Sequence, residues 1–147
     1  MIEINNLTES KIDFDVIKKI VEKVLTGEGF SETAELSIAF VGSGRMRKLN
    51  KTYRKKNRVT DVLSFSEKTI PLGKLKIGEI EKIQGFGEMV ICPKQIQKNA
   101  KEFNTSFGGE LKKVVIHGVL HLLGYEHEQE ENEAKKMHKK EIQYLNS

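Results

Sequence analysis

The chain has 147 residues, of which 31% are charged and 37% hydrophobic, and Lys and Arg outnumber Asp and Glu by 25 to 21. That length holds one folding unit with one sizeable core and leaves no comfortable room for a second, and the patterned apolar segments exclude disorder. The single cysteine, Cys92, excludes an intrachain disulfide and a thiolate zinc cluster, so histidine must carry any metal.

The opening stretch, MIEINNLTESKIDFDVIKKIVEKVL, lacks the basic and apolar regions of a secretory signal, and no apolar run is long enough to span a bilayer. The expected address is the cytoplasm, with no membrane contact. Ile17, Ile20, Val21, Val24 and Leu25 recur at helical spacing behind the caps Asp13 and Asp15, and Gly27 stops the helix. Leu36, Ile38 and Phe40 alternate in AELSIAFV, which predicts a half-buried strand ended by GSG. A second helix starts at Ser43, and its register places Met46, Leu49 and Tyr53 on the core side. DVLSF at 61–65 and EMVI at 88–91 read as strands, and the glycine-rich segment 66–86 between them as a hairpin or extended loop. Pro93 opens a helix running through Ile96, Ala100 and Phe103, which Gly108 and Gly109 break. ELKKVVIHGVLHLL is the most apolar helix and the expected centre of the fold, ended by Gly124 in the left-handed conformation. The last segment, EQEENEAKKMHKKEIQYL, carries acids first and lysines later, the order a helix dipole favours. Helices mixed with a few strands predict an α+β class in one domain over 1–147.

Residues 117–127, HGVLHLLGYEH, have the layout of the zinc-peptidase signature H-E-x-x-H-x-x-G-x-x-H, with Gly118 where that signature keeps its glutamate. Residues four apart on a helix share a face, so His117 and His121 can converge on one ion, and a turn at Gly124 lets His127 supply a third ligand. Three neutral imidazoles leave a coordination position open, the arrangement of a catalytic site. Histidines merely packed or capping at a helix end are the competing reading. Against it, three of the four histidines fall within eleven positions at a spacing a metal requires. His138, on a lysine-rich helix, reads as a surface residue.

Residues 45–58, RMRKLNKTYRKKNR, form a second constellation. Arg45, Arg47, Lys48, Lys51, Arg54, Lys55, Lys56 and Arg58 make eight basic residues in fourteen with no acid, a pattern suited to phosphate backbones. A lysine-rich solvated helix face is the plainer alternative. Tyr53 could stack on a base, but its register favours core packing. Thr60, Asp61 and Ser64 surround a strand start, where they could orient a metal ligand or cap a turn.

HGVLHLLGYEH, LNKTYRKKNRVTDVLSF at 49–65 and GEMVICP at 87–93 together resemble the YbeY family of bacterial endoribonucleases, which act in ribosomal RNA maturation and ribosome quality control. The resemblance runs through residues 34–142, with the motifs in the family's order. It implies a compact α+β domain with a small mixed sheet flanked by helices. It also implies one Zn2+ per chain held by His117, His121 and His127, and ribosomal RNA, the ribosome and its proteins as partners. The family's active-site arginine falls on Arg54, which would meet a substrate phosphate. The chain departs from the family's usual pattern at Asn57, where Asp is usual, at Val59, where proline is usual, and at Glu126, where GYDH has Asp. Glu126 keeps a carboxylate that could act as a base or orient a ligand.

Amide hydrolysis needs a base to handle the water proton and a poor leaving group, a task Gly118 cannot perform. Phosphodiester cleavage depends more on neutralising charge, which a metal and Arg54 could share. The residues therefore favour phosphodiester over peptide cleavage, and the resemblance implies a metal-dependent endoribonuclease that prefers single strands. A zinc metallopeptidase would need Glu126 as substitute base and leaves the basic run without a purpose. A non-enzymatic ribosome-associated RNA-binding protein explains the charge but not a site with three ligands.

Overall fold

The computed structural model describes residues 2–30, 35–66, 85–125 and 131–147. The elements follow as β1 (Ile2–Asn6), α1 (Phe14–Gly27), β2 (Glu35–Phe40), α2 (Ser43–Arg54), β3 (Val62–Ser66), β4 (Gly85–Ile91), α3 (Pro93–Glu102), α4 (Phe107–Leu122) and α5 (Glu131–Leu145). The strands form one sheet in the order β1-β2-β4-β3, with β1, β2 and β4 parallel and β3 antiparallel to β4. This is the mixed sheet of an α+β domain.

The two-residue period of the strands divides the core. Leu36, Ile38, Phe40, Met89 and Ile91 point to one face, where they meet Ile17, Val21 and Val24 of α1, Ile96 of α3, Val115, Ile116, Val119 and Leu120 of α4, and Met137 of α5. Ala39, Leu63, Phe65 and Val90 point to the other, where Met46 and Leu49 of α2 pack with Val41 and Cys92. Helix α4 is central, touching α1, α3, α5, β3 and β4. The chain between β3 and β4, read as a hairpin or extended loop, lies outside the described residues except at its ends.

Local chemistry explains most boundaries. The Asp13 carboxylate accepts from the backbone N–H groups of Asp15 and Val16 and starts α1. Pro93 occupies the first turn of α3, where its missing N–H costs nothing. Two expectations are corrected. Gly108 and Gly109 do not break a helix but form the first turn of α4, capped by Ser106 Oγ accepting from Gly109 N at 3.0 Å. Phe103 caps the end of α3 and is exposed, not on its core face. Strand β1 was not among the expected elements.

Helix α1 ends at a half-buried polar cluster. Glu28 accepts from the Tyr125 hydroxyl at 2.5 Å, from the Tyr144 hydroxyl at 2.7 Å and from Lys140 Nζ at 3.2 Å. Burial alone would push the Glu28 carboxyl up, but the three donors outweigh it and hold it below its ordinary value near 4.5. Burial and the neighbouring carboxylate push the Tyr144 phenol well above its usual range. A depressed folded-state value stabilises the fold above the unfolded-state pKa, and that contribution is lost as pH falls through the folded one. Glu28→Ala should therefore cost about 1–3 kcal/mol at neutral pH, through loss of the carboxylate that the buried Tyr144 hydroxyl and Lys140 engage. Urea unfolding at pH 7 and at pH 3 checks this, since the gap between wild type and variant should shrink in acid.

Candidate metal and nucleic-acid site

Helix α4 holds its histidines where the i, i+4 spacing requires. His117 and His121 are half-buried, their ring centroids 4.5 Å apart at 83°, and their Nε2 atoms face each other at 3.0 Å. Two Zn–N bonds of about 2.0–2.1 Å at a tetrahedral angle put the nitrogens roughly 3.3 Å apart, so the pair needs little adjustment to share an ion. His117 Nδ1 lies 2.8 Å from Glu141 Oε1 on α5. A carboxylate only accepts, so Nδ1 carries the proton and Nε2 presents its lone pair, the tautomer a metal takes. The donor set fits a divalent cation of borderline softness.

Among the described residues no further His, Cys, Asp or Glu completes a set of three with this pair. The remaining ligand read from the sequence, His127, lies outside the described residues, as does Glu126. The turn that leads to them is visible. Gly124 takes φ +101°, its N–H and that of Tyr125 return to the carbonyls of His121 and Leu120, and Tyr125 is anchored on Glu28. This is the left-handed helix stop expected at Gly124.

Glu141 is a site residue that sequence reasoning missed. No spacing rule links it to His117, which is 24 positions away. Glu141→Ala should lower metal affinity about 10- to 100-fold by releasing the His117 tautomer and ring orientation. Competition with a chromophoric chelator measures it.

Gly118 is buried against the sheet, beside Met89 and Ser64. A Cβ there would collide with Met89 Cε, with Met89 Sδ and Ser64 Oγ each at 3.2 Å. A side chain at this position would have to displace the Met89 methyl, the far end of a flexible side chain, and press on Ser64 Oγ. Gly118→Glu should cost at least about 3 kcal/mol, from overpacking and a buried unpaired carboxylate. A lowered denaturation midpoint without gain of peptidase activity would show it.

The basic run lies across β3 from the histidines. Arg45, Arg47, Lys48, Lys51, Arg54, Lys55, Lys56 and Arg58 are all exposed, on α2 and the loop after it. That loop is shaped by Lys55 at φ +61° and by the buried Asn50, whose amide donates to Arg58 O at 2.9 Å. Arg47 Nε donates to Asn57 Oδ1 at 2.9 Å, a role an aspartate would also fill. Arg54 Nη2 donates to Ser64 O at 2.9 Å, and Ser64 Oγ donates to Gly118 O at 3.3 Å. One residue of β3 therefore joins the arginine to the residue beside His117. Of the polar group at the strand start, only Ser64 does this. Thr60 contacts Asp61, and Asp61 O accepts from Cys92 N. His138 is exposed, as expected.

The Tyr53 expectation is corrected. Met46 is buried and Leu49 half-buried, but Tyr53 is 61% exposed, edge-on to Phe65 with centroids 5.2 Å apart. The last turn of α2 carries it beyond the core beneath Met46.

A family profile described as Endoribonuclease YbeY matches residues 3–147. The chain belongs to the YbeY family. It is 43% identical over 113 residues to Endoribonuclease YbeY of Thermodesulfovibrio yellowstonii, a match covering 76% of this chain and 65% of that protein, slightly under two thirds of its length. It is 39% identical over 118 residues to Endoribonuclease YbeY of Bacillus mycoides, covering 80% and 76%. The solution structure of TM1509 from Thermotoga maritima superimposes with a TM-score of 0.66 at 33% identity, covering 99% of this chain and 87% of that one. These relatives are named endoribonucleases, and the α+β fold is shared with a solved structure. No helix among the described residues is long and apolar enough to cross a membrane.

Proposed function

We propose that this chain is a single-domain, metal-dependent endoribonuclease that cuts single-stranded RNA, with ribosomal RNA as substrate during maturation and quality control of the cytoplasmic ribosome. The observation that carries the chemistry is the facing pair of Nε2 atoms on His117 and His121, joined through Ser64 to Arg54 and its basic helix. Membership of a family described as Endoribonuclease YbeY supports the reaction class. The ribosomal setting rests on the motif resemblance in HGVLHLLGYEH and LNKTYRKKNRVTDVLSF and on the basic balance of the chain.

His117, His121 and His127 would hold one zinc ion, which supplies Lewis acidity toward a phosphoryl oxygen when bound. Glu141 holds the proton on His117 Nδ1 and keeps the other nitrogen available. The Arg54 guanidinium meets the negative charge that grows on the phosphate. Arg45, Arg47, Lys48, Lys51, Lys55, Lys56 and Arg58 hold the neighbouring phosphates and set the strand's path. Glu126 would assist proton transfer. A peptidase reading loses support at Gly118, which has no side chain to serve as the base.

Elemental analysis of the purified protein, combined with cleavage of single-stranded RNA and of casein with and without chelator, tests the proposal. RNA cleavage that stops on metal removal and returns with zinc is expected. Cleavage untouched by complete metal removal, or cleavage of casein alone, would overturn it.

A further inference from the structure

Tyr53 is a large aromatic ring left mostly in water at the edge of a strongly basic helix. Single exposed apolar residues are ordinary and call for no explanation by themselves. This ring is held by its surroundings. Phe65 of β3 meets it edge-on, with centroids 5.2 Å apart and ring planes at 67°, and the same Phe65 ring lies 5.9 Å from the Arg54 guanidinium carbon. Arg54 is in turn fixed on Ser64 O, and Ser64 Oγ on Gly118 O beside His117. A half-buried phenylalanine thus braces an exposed aromatic ring and an arginine side by side, one strand away from the histidine pair.

We propose that Tyr53, braced by Phe65 and flanked by Arg54, is a stacking subsite for one unpaired nucleobase next to the phosphate that Arg54 contacts. The inference rests on the endoribonuclease reading and adds the group that selects single strands. Every base offers a π-face, so such a platform is tolerant of sequence. A base inside a duplex already has neighbours on both faces and cannot offer one to the ring, so paired RNA gains only the phosphate contacts.

The test uses the metal-loaded full chain and a fluorescent ten-nucleotide single-stranded RNA. The same RNA is also prepared as a series with one abasic nucleotide at each successive position. Tyr53→Ala should raise KM about tenfold, with kcat, metal content and thermal midpoint near wild type, and Tyr53→Phe should restore KM. One abasic position should raise the wild-type KM by a similar factor and leave Tyr53→Ala no worse than on intact RNA, because ring and base act as a pair. An unchanged KM in Tyr53→Ala would overturn the subsite and assign the ring to a protein contact, with the nuclease reading intact. An equal Tyr53→Ala defect on every abasic RNA would also overturn it, since the ring would then touch backbone alone. Wild-type protein inert toward RNA at every metal loading would instead sink the underlying nuclease reading.

Discussion

Replacing His121 by alanine should lower metal affinity by about 100-fold or more and remove RNA cleavage with it. The side chain supplies one of the two nitrogens that meet at 3.0 Å on α4, and nothing else on that helix turn can take its place. The fold should survive, because the apolar face of α4, with Val115, Ile116, Val119 and Leu120, is untouched and alanine is a good helix former. His117→Ala should lose metal to the same degree and lose somewhat more stability, since it leaves the partly buried Glu141 without its donor. Elemental analysis after gel filtration, with circular dichroism to follow the fold, decides both. A variant that keeps wild-type zinc stoichiometry would remove these histidines from the metal site.

Arg54→Glu should leave metal content unchanged and slow RNA cleavage by about 10²- to 10³-fold, the range for losing one donor aimed at charge that develops in the transition state. The replacement puts a carboxylate where a phosphate must pass and forfeits the bond to Ser64 O. Arg54→Lys should recover only part of the rate, because a lysine keeps the charge but not the planar fork that grips Ser64 and a phosphate together. Single-turnover cleavage at saturating protein separates the chemical step from binding. Equal rates for wild type and Arg54→Glu would end the phosphate role.

The histidine pair was legible because helical geometry turns a spacing of four into a shared face, and the structure brings His117 and His121 together without further help. Strand β2 was legible because its alternation has a single cause, with Leu36, Ile38 and Phe40 all buried on one side. Glu141 was not, since packing of α5 on α4 depends on tertiary geometry that no local pattern encodes. Gly108 and Gly109 misled because glycine reads as a breaker. At a helix start the backbone N–H groups have no intrahelical partner, and Ser106 makes that start favourable. Tyr53 misled for a related reason, since periodicity gives direction around a helix but not where the neighbouring core ends. Phe103 failed in the same way at the end of α3.

The terminal helix α5 works as a two-toothed key. Its Glu141 engages His117, and one residue earlier and three later, Lys140 and Tyr144 engage Glu28 at the far end of α1, with Tyr144 resting so closely on Gly27 that a methyl group there would overlap its ring. One residue inserted between Met137 and Lys140 would rotate both teeth by about 100° relative to the buried Met137, and a full extra turn would restore their direction but displace them by about 5.4 Å. Within α5, the spacing from the buried Met137 to Lys140, Glu141 and Tyr144 therefore couples the histidine site to the end of α1.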